Sequence, residues 1–402
     1  MYNTILYNKI SFYIFEEKSM EVPFNFGKLV EGGQFINRES EILNLKQNID
    51  SHINSILISP RRWGKSSLVS HVATKMGKRN KQLKFCFIDL FAIRGEEEFY
   101  QVLATELLKT TSTKWEDWVA NGKKLFTRLI PRFQIGIDPI NDFNVSFDWK
   151  ELRKEGGEIL NLPEKISKDK NIQVVVCIDE FQNIAHFDEP LVMQKKMRAA
   201  WQKHQISTYC LFGSKRHMLV DIFENKSMPF YKFGETIFLN KIDGKYWEKF
   251  IVKQFVKTNK KISKEHAMEI AKRMENHPYF VQLYASAVWK NTRTTCKMLT
   301  LNKALDELKL QYAIMFRREL DNLTNKQINF LIALVEGVTQ FTSKETLNTY
   351  NLGSQGNIKR IKAALENKEV LDLWGNTMEF EDPLFRIWFI EDYLNNQSRF
   401  SS

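Results

Sequence analysis

The chain has 402 residues, more than one ordinary domain holds, so two or three compact units are expected. Its 59 basic and 48 acidic residues give a net charge of +11, which is compatible with an anionic partner but does not establish one, since the excess is spread along the chain. The longest apolar runs fall far short of the roughly 20 residues that cross a bilayer, so neither a membrane-spanning helix nor a membrane partner is expected.

Two further features of the sequence bear on the compartment of the protein. Residues 1–20 are apolar and aromatic but are interrupted by charges, so they lack the pattern of a signal peptide. We interpret them as a loosely attached N-terminal tail. Alternatively, residues 1–19 are translated upstream sequence that precedes a start at Met20. The four cysteines are scattered and form no C-x-x-C pair, so no zinc site is expected and reduced thiols in a cytoplasmic protein are the simplest interpretation.

Five short, nearly continuous apolar runs in the first 240 residues indicate strands that are buried on both faces. Because helical stretches separate them, they predict a parallel α/β sheet. Two alternating runs around Pro139 and Asn141 predict a β-hairpin inserted near residues 130–148. The predicted strands are 53–58, 84–89, 172–178, 206–212 and 235–239, and helices between them are predicted at 66–78, 96–109 and 194–204.

From about residue 243 the strand-like runs give way to helical spacing, which predicts a helical subdomain. From Leu323 three further helices precede two strands that flank the turn sequence Gly375-Asn376. Three helices and a hairpin are typical of a winged helix-turn-helix. The predicted helices are 246–258, 264–275, 278–291, 303–322, 325–335, 344–350 and 355–367, the last three capped by Thr324, Ser343 and Ser354.

A phosphate-binding loop is predicted between the first strand and the helix that follows it. Residues 59–66 match the pattern G-x-x-x-x-G-K-[ST] at every diagnostic position except the first, where Ser59 replaces glycine. Gly64 lets the backbone approach phosphates, Lys65 supplies charge to the β- and γ-phosphates, and the Ser66 hydroxyl ligates Mg²⁺. The loop predicts ATP with Mg²⁺, although it does not by itself separate ATP from GTP. The predicted nucleotide contacts in it are Ser59, Pro60, Arg61, Arg62, Trp63, Gly64, Lys65, Ser66 and Ser67.

The apolar strand at residues 174–178 ends in two carboxylates, Asp179 and Glu180, the Walker B pattern. Asp179 is predicted to hold Mg²⁺ through water, and Glu180 to act as general base on the attacking water. The presence of Glu180 favours hydrolysis over nucleotide binding alone. The next strand ends in Gly213-Ser214, where Ser214 is either a sensor of the γ-phosphate or a turn serine.

Together these motifs resemble the archaeal-type ATPase family, a branch of the AAA+ and STAND-like P-loop ATPases, over about residues 24–392. The resemblance implies ATP binding and hydrolysis by an AAA+/ASCE-type P-loop core (21–242), followed by a helical lid (243–322) and a winged helix domain (323–395). The segments that carry it are Phe35-Ile-Asn-Arg38-Glu39-x-Glu41, residues 59–66, Ile178-Asp-Glu-Phe-Gln182, Gly213-Ser214, Asn276-His-Pro-Tyr279 and Asp382-Pro-Leu-Phe-Arg386.

The same resemblance implies roles for residues outside the loop. Arg38 and Glu39 would lie near the adenine and ribose, and Pro278 would line the base pocket from the lid. Lys232 stands where relatives often have arginine, and a lysine cannot make the planar bidentate contact of an arginine finger.

Three functions are compatible with the sequence. The first is an ATP-hydrolysing switch, in which nucleotide orders the lid against the core. The second is a nucleotide-regulated DNA-binding regulator, in which Lys359, Arg360 and Lys362 meet phosphates or base edges; winged helices of such ATPases also serve as protein-binding or autoinhibitory modules. The third, a structural interaction protein with a decayed site, is disfavoured because the phosphate loop and the strand-end carboxylates are intact.

Overall fold

The computed structural model describes residues 21–29, 35–112, 115–126, 129–136, 138, 142–375 and 377–395. The predicted N-terminal tail, the predicted turn residues Pro139 and Asn141, and Asn376 lie outside the described residues. Within those ranges, no helix combines the length and the apolarity that crossing a membrane requires.

The first half of the chain forms a five-stranded sheet with helices on both faces and a separate antiparallel hairpin of β3 and β4. Its elements are α1 (Glu39–Asp50), β1 (Ser55–Ile58), α2 (Lys65–Arg79), β2 (Leu83–Asp89), α3 (Glu96–Thr111), α4 (Trp115–Leu125), β3 (Arg132–Gln134), β4 (Asn144–Ser146), α5 (Trp149–Leu160), α6 (Leu162–Lys170), β5 (Gln173–Asp179), a 3₁₀ helix (Phe181–His186), α7 (Pro190–Trp201), β6 (Thr208–Gly213), α8 (Arg216–Glu224) and β7 (Glu235–Phe238).

The sheet is parallel throughout, in the order β2-β5-β6-β1-β7. Every residue of β1 and of β6 is buried, as their continuous apolarity predicts. Alternate side chains along each strand are buried in two hydrophobic cores, one on each face of the sheet. Leu57 and Val175 pack with α1 and α2, whereas Ile56 and Val176 pack with the helices of the opposite face. The carboxyl ends of β1, β5 and β6 therefore meet at one edge, which is where parallel sheets bind ligands.

All five predicted strands and the hairpin are present, but the segment between β2 and β5 holds more structure than its sequence predicts. Besides the hairpin it contains α4, α5 and α6, whose apolar residues Leu152, Ile159 and Ile166 are fully buried. These helices are polar in composition, so their apolar stripe becomes clear only when α3 packs against it.

The second half is helical and shares one hydrophobic core, in which the Phe316 ring lies 5.5 Å from the rings of Phe385 and Trp388. The fold is thus a P-loop parallel sheet followed by a helical lid and a C-terminal winged helix. This hydrophobic core contains residues from both sides of Leu323, so the boundary between lid and winged helix at residue 323 remains a proposal. Its elements are α9 (Gly244–Lys257), α10 (Lys264–Arg273), α11 (Pro278–Asn291), α12 (Met298–Asp321), α13 (Asn325–Val335), α14 (Lys344–Thr349), α15 (Gln355–Asn367), β8 (Leu371–Trp374), β9 (Thr377–Phe380), α16 (Pro383–Trp388) and a π-helical turn (Phe389–Leu394).

The caps of the winged helix differ in strength. Thr324 forms a capping box with Gln327, each side chain accepting a hydrogen bond from the other residue's N–H, whereas Ser354 makes no side-chain hydrogen bond at the start of α15. We therefore expect Thr324→Ala to lower the free energy of unfolding by about 1 kcal/mol. The matched change Ser354→Ala should cost only a few tenths of a kcal/mol, roughly. Equilibrium unfolding in urea measures both, and equal losses would contradict the assignment.

Candidate nucleotide site

The loop between β1 and α2 has the backbone of an anion cradle. Gly64 lies at the N-cap of α2 with a left-handed φ of 88°, a conformation that glycine adopts without steric cost. Arg62 is also left-handed, at φ 63°. Because α2 begins at Lys65, its unpaired N–H groups and the positive end of its dipole face the loop.

Ser59, the departure from the phosphate-loop pattern, fits its position without strain. It does not adopt a positive φ, so its backbone does not require glycine. The side chain is buried, and its hydroxyl donates to the carbonyl oxygen of Pro60 at 3.1 Å. Serine is therefore compatible with the backbone of the loop at this position.

Four predicted side chains meet at the carboxyl ends of β1 and β5. The Ser66 hydroxyl donates to Asp179 Oδ2 at 2.6 Å, and Lys65 Nζ lies 3.3 Å from Glu180 Oε1. Burial raises the pKa of Asp179 above its ordinary value, against the opposing effects of Lys65 and Ser66. The arrangement places a hydroxyl, a cation and two carboxylates around one point at the edge of the sheet.

Glu180 is held in one orientation by its neighbours. Its Oε2 accepts hydrogen bonds from the Ser214 N–H at 3.0 Å, from the Ser214 hydroxyl at 2.8 Å and from Gln182 Nε2. Burial alone would raise the pKa of Glu180, but Lys65 and these donors outweigh it, and the pKa lies below its ordinary value. Glu180 is therefore ionised at neutral pH, as a general base requires.

Gln182 explains a glycine at the end of β6. A Cβ on Gly213 would lie 1.9 Å from Gln182 Oε1, so any larger residue at position 213 would displace the side chain that orients Glu180. The sequence motifs contain Gln182 and Gly213 but predict no role for either residue. Their contact joins the ends of β5 and β6, which are distant in sequence.

The oxygen ligands that Mg²⁺ prefers are present at this point. It binds in nucleotide sites through one or two protein oxygens together with phosphates and water, and Ser66 and Asp179 supply one hydroxyl and one carboxylate. Across the described residues, no group of three or more His, Cys, Asp or Glu side chains could hold a metal ion alone. The donor set thus fits a metal that arrives with a nucleotide.

A cleft of about 560 Å³ lies beside the loop, between the core and the lid. The Phe26 and Tyr279 rings meet edge to face at 5.9 Å, and Gln282 Oε1 accepts a hydrogen bond from the Asn25 N–H at 3.2 Å. Aromatic walls and a carboxamide suit a flat heterocyclic base. The lining residues are Asn25, Phe26, Gly27, Lys28, Leu29, Arg61, Arg62, Gly64, Lys65, Ser66, Ser67, Pro278, Tyr279 and Gln282.

Among the cleft residues that would face the heterocyclic base, the sequence predicts only Pro278. Gln282 could have been found from it, because residues four apart share one face of a helix. Residues 25–29 carry no local pattern that indicates a ligand, and only the fold brings them to the cleft.

Five residues that are predicted at the nucleotide do not line this cleft: Ser59, Pro60, Trp63, Arg38 and Glu39. The Trp63 ring packs on the other side, edge to face with His277 at 6.0 Å. The Arg38 guanidinium is buried and donates to the carbonyl oxygens of Asn240 at 2.5 Å and Trp63 at 3.3 Å. Arg38 therefore ties the end of the phosphate loop to the chain after β7. A direct contact with nucleotide stays a prediction for all five residues.

Two protein families match parts of the chain, and both agree with the fold described above. A family described as "Predicted AAA-ATPase" matches residues 25–209, and one described as "Probable winged helix domain" matches residues 314–391. No curated protein matches the chain.

Two solved structures are similar to nearly the whole chain. The Walker-type ATPase PABY2304 of Pyrococcus abyssi aligns over 91% of this chain and 99% of its own, with 16% identity and a TM-score of 0.63. The ORC2 protein of Aeropyrum pernix, solved as ADPNP–ADP complexes, aligns over 94% and 100%, with 13% identity and a TM-score of 0.50. At such low identity the likeness shows the shared fold.

Proposed function

We propose that this chain, which carries an AAA-ATPase domain followed by a winged helix domain, hydrolyses ATP with Mg²⁺ and acts as a nucleotide-driven switch. The observation that carries the proposal is the pair of contacts at the end of β5, Ser66 with Asp179 and Lys65 with Glu180. These contacts bring together a cation that could bind phosphate (Lys65), two oxygens that could bind a metal (Ser66 and Asp179) and an ionised base (Glu180).

The two oxygens of Glu180 have different partners, which supports its role as base. Ser214 and Gln182 donate to Oε2, whereas Oε1 faces Lys65. A triphosphate gives Lys65 a stronger anionic partner, so Oε1 becomes available to accept a proton from the attacking water. Ser214 and Gln182 keep the carboxylate oriented meanwhile. A bound Mg²⁺ would be held by Ser66 and Asp179 and would neutralise charge on the phosphates.

The shape of the cleft supports the switch. Its base side is built by residues 25–29 and by Pro278, Tyr279 and Gln282 at the start of α11, while its phosphate side belongs to the core. A bound nucleotide would therefore bridge core and lid, and loss of the γ-phosphate would weaken that bridge.

A second function, DNA binding by the winged helix, is favoured by one observation. Lys359 and Arg360 are exposed on α15, whereas Glu366 and Glu369 turn toward the core, 3.9 Å from His217 Nδ1 and 3.1 Å from Arg61 Nη1. The exposed face of α15 therefore carries Lys359 and Arg360, and the two acidic residues that follow them in sequence do not lie on it. Lys362 lies on the Phe341 ring, 5.6 Å from its centre, and contributes less to that face. If this face does not bind DNA, it remains available to a protein partner.

Charge removal tests this second function. If α15 contacts phosphates, the double change Lys359→Gln/Arg360→Gln should weaken binding of duplex DNA at least about tenfold and lower the salt slope by roughly two. Filter binding or fluorescence anisotropy between 50 and 200 mM salt, roughly, measures both. The matched control is Lys264→Gln/Lys272→Gln, which removes two exposed charges from α10 in the lid. An equal loss in the control, or no binding by the unmodified chain at low salt, would exclude this interface.

A further inference from the structure

The phosphate loop touches the winged helix domain directly. Arg61 Nη1 lies 3.1 Å from Glu369 Oε2, just after α15, across 308 residues of sequence. Both side chains are partly exposed, at 59% and 36%, so this ion pair is weak and opens at little cost. Nearby, the shielded pair of Arg216 with Asp372, at 2.9 Å, also joins the core to β8.

Arg61 stands between two cavities. On one side it lines the nucleotide cleft with Lys65 and Ser66. On the other it lines a cavity of about 530 Å³ together with Glu180, Ser214 and Glu369. Because Glu180 is the proposed base for attack on the terminal phosphate, a cation that borders both cavities lies on the side of the cleft where that phosphate would sit.

Glu369 and a terminal phosphate are therefore competitors for one guanidinium. The carboxylate carries a single charge, whereas a γ-phosphate offers more charge and several oxygens, which the planar fork of arginine can bind in pairs. A diphosphate lacks this group and leaves Arg61 with Glu369.

We propose that Arg61 distinguishes ATP from ADP, and that the γ-phosphate takes Arg61 away from Glu369 and loosens the docking of the winged helix on the loop. This inference rests on the proposed function, since it assumes that a nucleotide occupies the cleft. The loosening is local, because Arg216 with Asp372 and Lys241 with Glu379, at 2.8 Å, still attach the wing.

Nucleotide affinities of the full-length chain test the proposal, with ADPNP and ADP as probes in the presence of Mg²⁺. Arg61→Gln should weaken ADPNP binding about tenfold and change ADP binding less than about twofold, because the lost contact is charge-assisted and specific to the γ-phosphate. Glu369→Gln should tighten ADPNP binding about two- to fivefold, the range of an exposed ion pair, and leave ADP unchanged. In the Arg61→Gln background, Glu369→Gln should have no effect on either nucleotide.

The matched control is Glu391→Gln, which removes a carboxylate of the same domain from an ion pair of similar length with Lys309. It should alter neither affinity. Amide hydrogen exchange provides the second readout: in the unmodified chain, ADPNP but not ADP should speed exchange at residues 366–374.

Three results would overturn the proposal: equal losses of ADPNP and ADP affinity in Arg61→Gln, an unchanged ratio in Glu369→Gln, or slower exchange at residues 366–374 with ADPNP. These outcomes leave the hydrolytic function intact, provided that the unmodified chain binds ADPNP. If it binds neither nucleotide, both proposals fail. If instead Glu180→Gln hydrolyses ATP normally, the role of Glu180 as general base is refuted, whereas the comparison of ADPNP and ADP affinities still tests the role of Arg61.

Discussion

Replacing Lys65 by alanine is expected to weaken binding of ADPNP with Mg²⁺ at least about a hundredfold, through loss of a charge-assisted contact to the phosphates. The Lys65 side chain is only 7% exposed, and its Nζ lies 3.3 Å from Glu180 Oε1. Its removal also takes a counter-charge away from Asp179 and Glu180, and these two half-buried carboxylates would repel an incoming triphosphate.

Isothermal titration calorimetry with ADPNP measures this loss. The matched control is Lys75→Ala, which removes an exposed lysine from the same helix, α2, and should keep the affinity of the unmodified chain. Urea unfolding of both variants shows whether each is folded. A folded Lys65→Ala protein that binds ADPNP within a few fold of the unmodified chain would refute the phosphate site.

The second large effect is expected at Glu180. Glu180→Gln should keep nucleotide binding but lower turnover by about 10² to 10⁴, the usual contribution of a general base. A glutamine oxygen can still accept from Ser214 and Gln182, so the site should keep its shape. Lys65 loses its carboxylate partner in the variant, so ADPNP affinity should be unchanged or tighter.

Phosphate release under saturating ATP, with ADPNP affinity measured in parallel, separates binding from chemistry. Glu189→Gln is the matched control, since it removes an exposed carboxylate at the start of α7. Loss of ADPNP binding in Glu180→Gln would mean that this residue shapes the site and does not act on water.

Features that depend on local sequence could be predicted. Continuous apolar runs predict the buried strands because residues in a central parallel strand face two cores. The phosphate loop is similarly local: its motif predicts a helix from Ser66, and α2 begins one residue earlier, at Lys65, directly after the left-handed Gly64. The approach of Ser66 to Asp179 also follows, since parallel strands bring their carboxyl ends to one edge.

Distant contacts that do not follow from the order of strands in the sheet could not be predicted. The motif at Arg38 implies a contact with adenine or ribose, yet its guanidinium binds the carbonyl of Asn240, 202 residues away. Arg61 would be assigned to nucleotide alone, because its partner Glu369 lies beyond the lid. Neither pairing leaves a periodic or spacing signal in the sequence, so only the packed fold reveals it.

The most direct test of ATP hydrolysis at this site is to measure phosphate release and bound nucleotide together, in the unmodified chain and in Glu180→Gln, with ATP and Mg²⁺. We expect steady phosphate release by the unmodified chain, and a Glu180→Gln protein that retains ATP unhydrolysed at a ratio near one per chain. Equal phosphate release by the two proteins, or an unmodified chain that binds ATP and never releases phosphate, would contradict this expectation.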